Sequence, residues 1–287
     1  MKTSEQRRWE DQFPEQKRRM RKGLYILPSL FTTANIAAGY YAIAHTLHGT
    51  PVDFDVAAKA IGVAVVADGL DGRIARMTST TSDFGRELDS LADVITFGVA
   101  PAVLAWVWGF RSLPDYGQPE LQQRLVQWGL IVTFLFVVAG ASRLARFNIQ
   151  TNPRPSNPGR PGRKYFVGMP IPAGAGVIGA VVHFMGGQPL PNIWLAPVWL
   201  ALLFVVALLM VSAWRFYSFK ELNLRSRHRF QTILLIGIVG TLIWFYSPVV
   251  LFILAIGYML SGIFTRISYG LRRRPVDPSY KEAADPR

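Results

Sequence analysis

Residues Ile193 to Val211 read IWLAPVWLALLFVVALLMV, nineteen residues with no charge among them. An α-helix of about 20 apolar residues crosses the hydrocarbon core of a bilayer. One such stretch could equally be a buried helix of a soluble protein. Here it has company: apolar blocks occupy about 29–47, 55–75, 87–109, 125–146, 170–186, 193–213, 230–246 and 248–268. The block at 170–186 is the shortest and the richest in glycine, and the last two are divided only by Ser247-Pro248, a turn signal. Eight blocks in one chain predict an all-α, polytopic transmembrane bundle of about eight helices.

The rest of the composition agrees. Of 287 residues, 51% are hydrophobic and only 17% charged, below the usual quarter. Gly 25 and Pro 19 are ordinary and exclude a collagen-like or disordered polymer, while Cys 0 excludes disulfides, a cysteine nucleophile and thiolate metal sites. The net charge of +13 raises nucleic acid as a partner, and its placement answers the question. With the N-terminus cytoplasmic and eight crossings, 28 of the 31 basic residues fall on the cytoplasmic side, leaving Lys59, Arg111 and Arg124 on the other. That is the positive-inside pattern with both termini cytoplasmic, so the charge orients the chain against anionic headgroups and no nucleic acid is required. Residues 1–26 form a basic arm without the apolar core of a signal peptide. The arm is either an amphipathic helix on the leaflet, with Trp9, Phe13 and Met20 as contacts, or a flexible tail. Thr151–Arg163, with four prolines and three arginines, reads as a loop. No internal repeat of the kind that builds inverted-repeat transporters is evident.

Against this apolar background the acids stand out in Asp68-Gly69-Leu70-Asp71-Gly72-Arg73-Ile74-Ala75-Arg76 and Gly85-Arg86-Glu87-Leu88-Asp89-Ser90-Leu91-Ala92-Asp93. Carboxylates at the edge of hydrocarbon are costly and usually mark function. Asp68 and Asp71 stand at i, i+3 and Asp89 and Asp93 at i, i+4, so each pair shares a helix face. The short loop between them predicts antiparallel neighbours with both pairs at one depth. Four like charges repel unless protonated or neutralised. An all-oxygen set suits hard divalent ions such as Mg²⁺ or Mn²⁺, and two such ions roughly 4 Å apart serve phosphoryl transfer. Gly72 and Gly85 let a ligand approach the backbone, and Arg76 carries a fork suited to phosphate oxygens. As a plainer alternative, the aspartates anchor topology or pair with Arg73 and Arg86. Four of them at these spacings, with glycines and an arginine interleaved, favour a metal-dependent site.

These residues resemble the signature of the CDP-alcohol phosphatidyltransferases, D-x2-D-G-x2-A-R-x8-G-x3-D-x3-D, matched at Asp68, Asp71, Gly72, Ala75, Arg76, Gly85, Asp89 and Asp93. Members of that family displace CMP from a CDP-activated lipid with an alcohol, using two divalent cations. The resemblance implies that Asp68, Asp71 and Asp89 bind metal, and that Asp93 binds metal and is also the catalytic general base on the attacking hydroxyl. It further implies that Gly72, Ala75, Arg76 and Gly85 line the CDP-diacylglycerol site. Flanking runs are similar to the bacterial integral-membrane phosphatidylserine synthases within the family: LPSLFTTAN at Leu27–Asn35, TTSDFG at Thr80–Gly85, FGVAPA at Phe97–Ala102, SRLARFN at Ser142–Asn148 and GMPIPA at Gly168–Ala173. The likeness runs discontinuously over about 27–176 and departs at Thr96, where serine is expected. It implies a catalytic transmembrane core at 27–186, additional helices at 187–270 without a recognisable motif, and a basic tail at 271–287. CDP-diacylglycerol, L-serine and membrane lipids are the implied partners, a homodimer is a candidate assembly, and the bacterial cytoplasmic membrane, with the site at its cytoplasmic face, is the implied location.

Three residues extend the site. Arg143 and Arg146, one turn apart, either hold the serine carboxylate or a lipid phosphate, or snorkel to headgroups. Asn35 either supports the polar site or makes a helix–helix contact. His183 reads as structural, with no second ligand near it in sequence. The signature does not encode the alcohol, so glycerol 3-phosphate, inositol phosphate and choline remain alternatives to serine. A divalent-cation transporter would need polar groups at several depths, whereas these four aspartates cluster near one face.

Overall fold

A two-residue corner sets the first helix pair. Helix α1 (Pro14–His48) stops where Gly49 takes φ +77°, a left-handed conformation that glycine reaches without steric cost. Helix α2 (Pro51–Thr78) starts at once on a proline, whose missing N–H is harmless in a first turn. The corner folds α2 back against α1. Ala57, Ala58, Ile61 and Ala64 recur at helical spacing and are buried, so the packed face of α2 is a run of mostly small side chains. The computed structural model describes residues 14–78, 83–151, 165–217 and 229–271.

Next comes a helical rod of changing pitch: α3 (Asp83–Asp93), a π-helical segment π1 (Val94–Val99), α4 (Ala100–Trp106) and a second π-helical segment π2 (Val107–Arg111). Helix α5 (Pro119–Thr151), strand β1 (Tyr165–Val167), α6 (Ile171–Phe184), α7 (Leu195–Val211), β2 (Arg215–Tyr217) and α8 (Arg229–Leu271) complete the described chain. The strands pair antiparallel with Phe166 opposite Phe216, joining the segments that follow α5 and α7. Phe216 is buried and fills the space over Gly262, which fastens α8 to the ribbon.

Among the described residues, three helices are long and apolar enough to cross a membrane: Glu87–Arg111, Pro119–Ile149 and Gly237–Arg266. No part of the apolar window in Gly237–Arg266 is buried. So large an apolar surface suits contact with lipid, where a helix satisfies most of its backbone groups internally. The protein is a helical membrane protein. Each expected block falls on a helical segment, but the lengths differ. The uncharged stretch at 193–211 becomes helical only from Leu195, giving α7 17 residues, and α6 has 14. The two expected final spans are the two helical halves of α8, which meet at a kink at Tyr246 (φ −132°, ψ 38°) just before Pro248. A proline ring there clashes with the carbonyl four residues back, which breaks the helix without requiring a loop.

Polar groups inside the bundle find partners across helices. Trp108 Nε1 donates to the carbonyls of Gly187 (3.2 Å) and Gln188 (3.0 Å), Trp199 Nε1 donates to the Ala105 carbonyl (3.1 Å), and the two indoles meet edge to face. His183 is buried between Asp55 of α2 (Nδ1 to Oδ1, 2.5 Å) and Ser247 at the break in α8 (Nε2 to Oγ, 2.9 Å), and Asp55 also pairs with Lys59 at 2.7 Å. These partners lie far away in sequence, which is why His183 looks solitary there.

Closer to the carboxylates, the Thr96 hydroxyl of π1 donates to the Asn35 carbonyl of α1 at 2.8 Å. This contact depends on Gly39, where a β-carbon would stand 2.8 Å from Thr96 Cα and 2.7 Å from its Oγ1. Gly39→Val is therefore expected to wedge α1 from π1 and cost on the order of 3 kcal/mol, measured as a fall in the thermal unfolding midpoint in detergent. An unchanged midpoint would mean that the two helices do not meet here.

Candidate active site

The site is assembled from the C-terminal half of α2 and the last two turns of α3. Asp68 lies in α2, Asp89 in α3, and Asp93 is the last residue of α3 before the turn widens into π1. One carboxylate oxygen from each of these three residues lies within 4.8 Å of the others. Asp93 is the most enclosed, at 9% exposure, and its Oδ1 is buried without a hydrogen-bond partner among the described residues. Asp68 and Asp89 are half-buried. The i, i+4 spacing sets Asp89 and Asp93 one turn apart, and Asp68 is brought to them because α2 and α3 both pack against α1 and α2 also meets π1. A wider turn directly after Asp93 is also in keeping with the tendency of π segments to occur at functional sites.

Three negative charges at this separation repel one another, and the electrostatic neighbours of Asp93 are Asp68, Asp89 and Arg143. The donor set is all oxygen, its atoms are close enough to share a cation with bonds of about 2.0–2.6 Å, and one buried oxygen lacks a partner. The residues fit a hard divalent cation.

The other expected residues divide. Helix α2 continues through Asp71, Gly72, Ala75 and Arg76, whose side chains lie outside the described residues. Gly85 stands in the first turn of α3, one turn before Asp89. Asn35 is buried, and its Oδ1 has no hydrogen-bond partner among the described residues. It faces a cavity of about 140 Å³ between α1 and α2 that reaches Asp68 and Asp89. Arg143 is half-buried in α5, with Nε enclosed and lacking a hydrogen-bond partner among the described residues, and it interacts electrostatically with Asp93. Arg146 is exposed. The structure thus brings Asp68, Asp89, Asp93, Asn35 and Arg143 together, with Arg146 exposed one turn beyond Arg143.

Two contributions were not foreseen from sequence. Asn148 Nδ2 donates to Ser90 Oγ at 2.8 Å, fastening α5 to α3 between the two aspartates. Tyr258, on α8, interacts electrostatically with Arg143, so a helix without a recognisable motif reaches the edge of the site. Asn148 closes the SRLARFN run and could have been singled out there, but nothing near Tyr258 in the sequence marks it.

A family model described as CDP-alcohol phosphatidyltransferase matches residues 25–185, more than half of the chain and including every carboxylate of the cluster. The chain belongs to the CDP-alcohol phosphatidyltransferase family. Among its relatives, a Helicobacter pylori protein named CDP-diacylglycerol–serine O-phosphatidyltransferase is 38% identical over 207 residues, covering 70% of this chain and 75% of its own. A Mycobacterium leprae protein of the same name is 36% identical over 182 residues (61% and 54%), and one from Saccharomyces cerevisiae is 38% identical over 145 residues (49% and 48%). For this phosphatidyltransferase, the family match ends at the close of α6, so α7, β2 and α8, with Tyr258, lie beyond it.

Proposed function

We propose that this phosphatidyltransferase moves the phosphatidyl group of CDP-diacylglycerol to the hydroxyl of L-serine, giving phosphatidylserine and CMP. The observation that carries the reading is the meeting of Asp68, Asp89 and Asp93 within 4.8 Å, in a family member whose relatives bear that activity in their names. Asp68, Asp71, Asp89 and Asp93 would hold two divalent cations, Mg²⁺ or Mn²⁺. The chemistry those ions supply when bound is neutralisation of the carboxylates and of the diphosphate.

The chain's own groups do the rest. Asp93 takes the proton from the serine hydroxyl as that oxygen attacks the phosphorus bearing the diacylglycerol. The bond from this phosphorus to the oxygen bridging to CMP breaks, and CMP leaves with the electron pair. Gly72 and Gly85 leave room beside the backbone for the diphosphate, and Ala75 and Arg76 border the CDP moiety. Arg143 neutralises the serine carboxylate or a phosphate oxygen beside Asp93. Asn35 offers its amide at the mouth of the cavity. Arg146, exposed one turn beyond Arg143, assists weakly with the same groups from the solvent side.

Residues 27–186 carry the chemistry in this reading, 187–270 add helices around it, and the basic segments 1–26 and 271–287 lie against anionic headgroups. In an eight-crossing arrangement, which the distribution of basic residues supports, both termini and the site would lie on the cytoplasmic face of the bacterial cytoplasmic membrane, where serine is available. The acceptor is tested by CMP release from CDP-diacylglycerol with serine, glycerol 3-phosphate, inositol phosphate and choline compared side by side. Serine alone is expected to support turnover. Faster release with another alcohol would replace serine in this assignment.

A further inference from the structure

At the other end of α2, a second group of metal-ligating side chains gathers, unconnected with the carboxylate cluster. His45 and His48 stand one turn apart in the last turn of α1, and Asp53 lies in the first turn of α2. Asp53 Oδ1 is 2.7 Å from His45 Nδ1 and 3.4 Å from His48 Nδ1. One ligand atom from each of the three lies within 4.8 Å of the others. Two of the chain's four histidines are therefore spent on one corner. Asp53 lies 15 residues from Asp68, roughly 22 Å along α2 at the rise of an α-helix.

The corner is organised as a ligand set. Gly49, at φ +77°, makes the turn tight enough to bring the last turn of α1 over the first turn of α2. Thr50 then caps α2: its hydroxyl donates to Asp53 Oδ2 at 2.5 Å and accepts from the Asp53 N–H at 3.2 Å. This reciprocal pair fixes the carboxylate with Oδ2 occupied and Oδ1 turned to the imidazoles. Metal-binding carboxylates are typically oriented by an outer hydrogen bond of this kind. His48 is 65% exposed, so an ion can reach the site from water.

We propose that His45, His48 and Asp53 form a binding site for a zinc-class divalent ion, with water completing a tetrahedron. Two imidazoles and one carboxylate suit Zn²⁺ or Co²⁺, with bonds of about 2.0–2.2 Å, whereas Mg²⁺ favours the all-oxygen cluster at the other end. The two sites are thus sorted by ligand chemistry. Bridging the end of α1 to the start of α2, the bound ion braces the pair of helices that lines the cavity beside Asp68.

The test uses the full-length protein in detergent with Mg²⁺ in excess, titrated with Co²⁺ and then with Zn²⁺. One Co²⁺ per chain is expected, with the intense visible absorption of a tetrahedral centre, displaced by Zn²⁺, and with a rise in the thermal midpoint. Substituting the exposed His48 (His48→Gln) should weaken binding by at least 10–100-fold, roughly the loss seen when even a supporting partner is removed. Its Mg²⁺-dependent CMP release should stay near that of the unsubstituted protein. The proposal is overturned if no tetrahedral band appears, or if the bound ion survives His48→Gln and instead disappears in Asp89→Asn.

Discussion

Replacing Asp93 with asparagine is expected to slow CMP release by about 10²–10⁴-fold, the usual range for loss of a general base. The amide is nearly isosteric, so the effect should fall on turnover rather than folding. Asp93 combines the features that a base at this position needs. It is the most enclosed of the three carboxylates, its Oδ1 has no hydrogen-bond partner among the described residues, and Asp68, Asp89 and Arg143 surround it electrostatically. Asp89→Asn should also be severe but should be relieved in part by more divalent cation, since it removes a ligand and leaves the base. If Asp93→Asn keeps near-normal turnover at saturating serine and metal, the base lies elsewhere.

A second large effect separates two arginines that the sequence presents as equals. Arg143→Ala should raise the serine KM or reduce turnover by 10-fold or more, of the order expected when a charge-assisted contact of about 1.5–3 kcal/mol is removed. Arg146→Ala should stay within about threefold, because an exposed cation contributes little. The difference rests on placement: Arg143 has an enclosed Nε with no hydrogen-bond partner among the described residues and acts on Asp93, while Arg146 is exposed. Arg143→Lys should rescue only partly, since lysine keeps the charge and loses the planar fork. Steady-state kinetics with serine varied at fixed CDP-diacylglycerol read both variants. Equal effects at the two positions would place the serine contact outside this pocket.

Much of the site is legible in the sequence because the relevant spacing is local. Asp89 and Asp93 at i, i+4 must share a face of any helix that contains them, and a short connection turns that face toward Asp68. The membrane character is legible for a similar reason, since uninterrupted apolar runs need no tertiary knowledge to interpret. What escapes depends on backbone geometry or on distant partners. Nothing in Val94–Val99 announces a π segment, yet that segment aims Thr96 at the Asn35 carbonyl. His183 finds Asp55 and Ser247 across 128 and 64 residues of chain. Tyr258 reaches Arg143 from a helix whose local pattern reads only as lipid-facing. Pro248 is readable as a break, but a sequence cannot distinguish a turn between two helices from a kink within one. The difference between Arg143 and Arg146 is one of burial alone, and burial at a helix end is set by which neighbour packs there.

In the proposed function, the carboxylate cluster carries out a metal-dependent phosphatidyl transfer to serine. The most direct measurement follows CMP and phosphatidylserine together in one reaction of the purified protein, before EDTA, after it, and after Mg²⁺ or Mn²⁺ is restored. The expected result is equimolar CMP and phosphatidylserine, abolished by EDTA and recovered with the metal. Transfer that is indifferent to EDTA would contradict the account, as would metal-driven ion flux in liposomes with no CMP released.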